Sequence, residues 1–159
     1  MADGNQDVAL VRQGYEAFTT GDAAWMNDHL ADDVVWHVGG KNKLSGAHRG
    51  KEAVLTLFTQ QAQVFGGVPQ LDVHDVVGND EHVIAIGTAS ANDPDGGTVE
   101  WRWANVFHIE DGKAKEVWGL AEETSAVMRS STRPWARKRA DRPPPRASPG
   151  PASRSRGRR

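Results

Sequence analysis

Three residues of this 159-residue chain have the types and placement to do chemistry on a small molecule: Tyr15, His37 and Asn105. Asn105 stands in the segment 99–109. The odd positions there read Val99, Trp101, Trp103, Asn105, Phe107 and Ile109, and the even positions read Glu100, Arg102, Ala104, Val106 and His108. Successive side chains of a strand point to opposite faces, so the odd positions form an apolar face interrupted by one amide. A buried amide is costly without partners. Either neighbouring backbone or water satisfies it, or it faces a cavity and meets a ligand there. Tyr15 is the only tyrosine, and a buried phenol usually finds a hydrogen-bond partner. It is either a core aromatic whose hydroxyl reaches the surface or a donor pointing into the same cavity. His37 follows Trp36 near the end of a β-branched run. An imidazole there is a candidate general base near neutral pH, or else a half-exposed strand residue.

These residues need elements to position them. Val8, Val11, Tyr15 and Phe18 recur at spacings of three and four, which predicts a helix over about 5–20. Gly21 ends it, and Asp22 can cap a second short helix whose buried side is Trp25, Met26 and Leu30. Val34 to Val38 reads as a strand after the break at Asp32-Asp33. Gly39 to Gly50 reads as a polar, mobile loop with four glycines. Lys51 to Phe65 is the clearest helix, with Val54, Leu57, Phe58, Gln61 and Phe65 on one face, and Gly66-Gly67 closes it. The period then changes to two. Strands are predicted over 70–77, 81–91, 98–110 and 113–120, joined by turns that include Asp111-Gly112, a strong hairpin signal. The order α-α-β-α-β-β-β-β predicts an α+β domain, with its helices on one side of a curved antiparallel sheet.

Charge divides the chain. Residues 1–128 hold 8 Lys+Arg and 20 Asp+Glu, whereas residues 129–159 hold 11 Lys+Arg and one acid, Asp141. The last 31 residues also carry six of the eight prolines, and Trp135 is their only large apolar side chain. Such a stretch cannot bury enough surface to offset the entropy of ordering. We therefore expect one domain over 1–128 and a disordered basic tail over 129–159. The tail reads foremost as a solvated appendage or an unselected extension of a shorter ancestral chain; the alternative is weak, non-specific binding to phosphates. The acidic body argues against nucleic acid as the main partner.

Absences narrow the classes. The chain has no cysteine, which excludes disulfides, thiol catalysis and Cys-ligated metals. His29, His48, His74, His82 and His108 lack HxH or HExxH spacing, so no metal site is expected. There is no GxSxG, P-loop or GxGxxG. The polar, acidic start does not read as a signal peptide, and no run approaches the roughly 20 apolar residues of a membrane span. A cytoplasmic protein is expected.

Several phrases resemble the SnoaL-like branch of the nuclear-transport-factor-2-like superfamily, which includes ketosteroid isomerase, limonene epoxide hydrolase and polyketide cyclases. They are Tyr15-Glu16-Ala17-Phe18 leading to Gly21-Asp22, Leu30 to Trp36, Gly46 to Val54, Val106-Phe107 leading to Asp111-Gly112-Lys113, and Glu116-Val117-Trp118. The resemblance covers about residues 5–125. It implies a cone-shaped sheet around helices, an apolar pocket in the open end, dimers packed through the outer face of the sheet, and acid–base chemistry with no cofactor. Tyr15 is similar in position to the isomerase's enolate donor. Asn105 is similar to its second donor, and an amide can donate without a shifted pKa. At the isomerase's base position no carboxylate stands here; His37 or Val38 does. Arg102 shares a face with Glu100 rather than Asn105, so the epoxide hydrolase pattern does not carry over.

The resulting expectation is a pocket for a small hydrophobic, carbonyl-bearing molecule, with Trp36, Leu57, Phe58, Trp103 and Trp118 as its walls. Tyr15, Asn105 and His37 would act in isomerisation or cyclisation. The alternative is a non-catalytic binding module of the same fold, which the missing carboxylate favours.

Overall fold

A computed structural model describes residues 4–93 and 96–122; the predicted tail lies outside these. The elements are α1 (Gly4–Thr20), α2 (Ala23–His29), β1 (Leu30–Val38), β2 (Gly46–Arg49), α3 (Lys51–Val64), β3 (Gln70–Gly78), β4 (Val83–Asn92), β5 (Thr98–Glu110) and β6 (Lys113–Ala121). One element was not foreseen. The glycine-rich stretch read as a loop contains β2, which pairs antiparallel with β1 from Val35–Arg49 to Val38–Gly46.

The helix ends follow their sequence signals. Gly21 takes a positive φ of 73°, and the Asp22 amide donates back to the Ala17 carbonyl at 2.8 Å, closing α1. A left-handed residue at this point favours glycine because it has no Cβ to clash. Asp22 then caps α2, its carboxylate accepting from the Trp25 amide at 2.9 Å, an arrangement worth about 1 kcal/mol.

The six strands form one sheet in the order β2-β1-β6-β5-β4-β3. It is mixed rather than wholly antiparallel, because β1 and β6 run parallel. The other neighbours are antiparallel. Register shifts in β1/β6, β3/β4 and β5/β6 bend the strands, since a bulge adds local twist and curvature. The sheet curves around the helices: α1 packs on β3 and β4, and α3 on β1 and β2.

The inner face holds the core. Val34, Val54, Leu57, Val83 and Val117 are fully enclosed, each side chain contributing roughly 1.5–3 kcal/mol by leaving water. On β5 the expected alternation holds. Val99, Trp103 and Phe107 are buried, while Glu100 and Arg102 are exposed. Trp103 can lie flat because its cross-strand partner is Gly87. A Cβ at Gly87 would stand only 2.7 Å from Cζ2 of Trp103 and closer still to the Asp72 carbonyl.

Candidate functional site

Between α1, α2, α3 and the inner face of β5 and β6 lies an open cavity of about 250 Å³. Tyr15, Phe18, Trp25, Trp36, Phe58, Trp101, Trp103 and Phe107 line it beside aliphatic residues such as Leu10, Val11 and Met26. The rings brace one another. Phe58 meets Trp36 edge-on at 5.0 Å and Phe18 at 5.4 Å. Tyr15 lies 5.0 Å from Trp103 and edge-on to Phe107 at 6.0 Å. Such pairs favour fixed geometries, so the wall is preformed. Of the residues expected to line the cavity, Trp36, Phe58 and Trp103 do so.

Asn105 and Tyr15 meet in this apolar setting. The Asn105 Nδ2 donates to the Tyr15 hydroxyl at 2.8 Å, and both residues line the cavity. The phenol therefore accepts from the amide and keeps its own proton to donate. Burial pushes the Tyr15 pKa well above its ordinary value of 10.0, against a smaller downward pull from Asn105. The hydroxyl is thus a neutral donor throughout the physiological range.

Three expected residues fall elsewhere. His37 is on the opposite side of β1 from Trp36 and Val38, the two neighbours that line the cavity. Its Nε2 is 2.7 Å from Glu116 Oε1, and its ring is stacked parallel to Trp118 at 5.9 Å. The reason is the two-residue period of a strand: Trp36 and His37 are consecutive and cannot share a pocket. The same period sends Trp118 outward, because Val117 beside it is fully buried. Leu57 is fully enclosed in the core and does not line the cavity.

Two titratable residues of the wall, His29 and Lys41, were not foreseen. His29, the last residue of α2, lines the cavity. Its ring stacks on Trp25 at 3.9 Å, and its Nδ1 is 2.8 Å from the Trp25 carbonyl. A carbonyl only accepts, so Nδ1 carries the proton and Nε2 of the neutral ring holds a free lone pair. The four-residue spacing of Trp25 and His29 was the available signal. At the rim, Glu122 accepts from the Arg102 Nε at 2.8 Å. That guanidinium holds the Glu122 carboxyl below the usual range. Among the described residues, no group of three or more His, Asp or Glu is arranged to hold a metal ion, and no helix is long and apolar enough to cross a membrane.

The sequence profile of the SnoaL-like domain matches residues 11–117. This chain belongs to the SnoaL-like domain family. Solved structures repeat the architecture. A protein named Bal32a, from a soil-derived mobile gene cassette, shares 25% identity over 76% of this chain and 92% of its own, with a TM-score of 0.71. A protein of unknown function with a cystatin-like fold, from Xanthomonas campestris, shares 25% identity over 76% and 95%, with a TM-score of 0.69. The fold also resembles that of IdmH, a putative polyketide cyclase from Streptomyces antibioticus: 20% identity, 78% and 97% coverage, and a TM-score of 0.65. An uncharacterized protein of Mycobacterium tuberculosis is 36% identical over 81 residues, 50% of this chain and 62% of its own length. The match thus spans less than two thirds of that relative. Within the SnoaL-like domain the matched region carries every aromatic wall residue named above, together with Tyr15 and Asn105.

Proposed function

We propose that this SnoaL-like domain takes up a small hydrophobic molecule, binding its rings or chain against the aromatic wall and its carbonyl oxygen through the Tyr15 hydroxyl. One observation carries the reading: the neutral donor pair Tyr15–Asn105 is set among the aromatic and aliphatic side chains of the cavity. Ligand sites commonly combine such a wall with a few placed polar groups. The position of His37, outside the cavity and beside Glu116, favours binding over catalysis through that residue. Isothermal titration with 2-indanone tests the proposal. Tyr15→Phe, which removes one hydrogen bond of about 1 kcal/mol, should weaken binding about fivefold. Equal affinity of the two proteins would count against it.

A second reading is supported by His29. With Nδ1 held by Trp25, its Nε2 is a base on the cavity wall, and Tyr15 would stabilise the enolate formed beside a carbonyl. This is the acid–base isomerisation or cyclisation expected of catalytic relatives. Deuterium exchange at the carbons beside the 2-indanone carbonyl should then be catalysed by the protein and lost in His29→Gln. Exchange at the solvent rate refutes it.

We infer further that a second copy covers the outer face of the sheet. Val77, Ile84, Val106, Trp118 and His37 stand in register across β3, β4, β5, β6 and β1. Val77, Ile84, Ile86 and Leu120 are all at least 40% exposed. A contiguous apolar patch of this kind marks an interaction site.

A further inference from the structure

The cavity has a second polar position, beside Gly119. Successive residues of β6 alternate faces, and Gly119 follows buried Val117 onto the inner side, where it lines the cavity. A Cβ at this position would stand 3.3 Å from the Oδ1 of Asn105 and 3.6 Å from the Nε1 of Trp36, with the His37 carbonyl at 3.2 Å. Without a Cβ, glycine leaves the approach to these atoms open. Two side-chain atoms of opposite character border it. Trp36 Nε1 borders the space as a donor, while the buried donor left without a partner among the described residues is Trp103 Nε1 of the same wall. The Asn105 amide commits its Nδ2 to Tyr15, which leaves its Oδ1, an acceptor, on the Gly119 side.

We propose that this position recognises a hydroxyl on the bound molecule, so that the ligands of this domain are hydroxyl-bearing ring compounds. A hydroxyl both donates and accepts: it gives its proton to Asn105 Oδ1 and takes one from Trp36 Nε1. A carbonyl or ether oxygen can use only the tryptophan. A bare hydrocarbon leaves both groups desolvated and unpaired, which is the stronger basis for discrimination. Gly119 is the specificity-determining residue, because a side chain there would stand between a bound hydroxyl and these two groups. The inference rests on the cavity being a ligand site and deepens that reading by naming the ligand class.

The test titrates the full chain at pH 7 with indane, 2-methoxyindane and 2-indanol. The expected order of affinity places 2-indanol first, about fivefold above 2-methoxyindane. Trp36→Phe keeps a ring against Phe58 and removes the N–H. Gly119→Ala fills the space and keeps the tryptophan. Each should lower 2-indanol affinity about fivefold while indane changes less than twofold, with circular dichroism showing both variants folded. Indane bound as tightly as 2-indanol, or an unchanged 2-indanol affinity in both variants, overturns the hydroxyl site and leaves the pocket reading standing. Failure of all three compounds to bind overturns the pocket reading and this inference with it.

Discussion

Asn105 donates its amide proton to the Tyr15 hydroxyl across 2.8 Å, joining the middle of β5 to the middle of α1 at the wall of the cavity. The contact links two residues 90 positions apart. It gives the cavity a donor that does not depend on pH in the physiological range. The chain holds one tyrosine, so this phenol can be observed directly.

Tyr15 should remain un-ionised in the folded protein well above pH 10. Its folded pKa is raised above its unfolded value of about 10, chiefly by burial. The sign follows: the stability tied to this proton is fully present below pH 10 and is lost as pH rises toward the folded pKa. Absorbance at 295 nm on alkaline titration should show tyrosinate appearing together with unfolding. In Tyr15→Phe the alkaline loss of stability should be smaller. Tyrosinate absorbance near pH 10 in a still-folded protein would contradict the burial described here.

His37→Ala should leave ligand affinity unchanged. The imidazole is on the outer side of β1 against Glu116 and Trp118, while Trp36 and Val38 face the cavity. A partly exposed pair of this kind contributes about 0–1 kcal/mol, so the melting temperature should move only slightly. Titration of wild type and variant with 2-indanone provides the check, and a fivefold loss of affinity would place the imidazole in the site.

Gly87→Ala should be strongly destabilising despite adding one methyl group. The new Cβ would meet Trp103 at 2.7 Å and the Asp72 backbone even closer, and backbone cannot give way as a flexible side chain can. Overpacking of this type costs about 1–3 kcal/mol. Urea unfolding should show a lower midpoint, and near-ultraviolet circular dichroism should report the displaced indole. An unchanged midpoint would show that β3 and β4 are further apart than described.

Ile84→Lys should shift self-association without unfolding the domain. Ile84 is 40% exposed on the outer sheet face, so a lysine is solvated in the monomer and costs little there. Across an interface with a second copy it would bury a charge. Sedimentation velocity should show the wild type as a dimer and Ile84→Lys as a monomer. A monomeric wild type would remove the proposal that a second copy covers this face.

Local patterns made much of the domain readable. The 3.6-residue recurrence of Val8, Val11, Tyr15 and Phe18 predicted α1, and strict alternation along 99–109 placed Trp103, Asn105 and Phe107 on one inner face. The same alternation applies to β1 and β6, where packing decides which face is the inner one. Trp36 and His37 are consecutive, as are Val117 and Trp118, so only one of each pair can face inward. β2 was hidden because four residues among glycines carry little strand propensity. Its pairing with β1 comes from register with a neighbour rather than from its own composition.

The sequence by itself determined the types and order of every element but β2, the helix ends at Gly21 and Gly66, and the inward face of β5. These depend on side-chain period and backbone freedom within a few residues of each position. Tertiary structure decided which groups meet. The parallel pairing of β1 with β6 sets His37 opposite Trp118 and Val38 opposite Gly119. The packing of α1 brings the Tyr15 hydroxyl to Asn105 and so orients the amide. Trp36, Asn105 and Gly119 border one space for that reason. No periodicity specifies contacts between segments 70–90 residues apart, because they arise only when the curved sheet closes its apolar face over the helices.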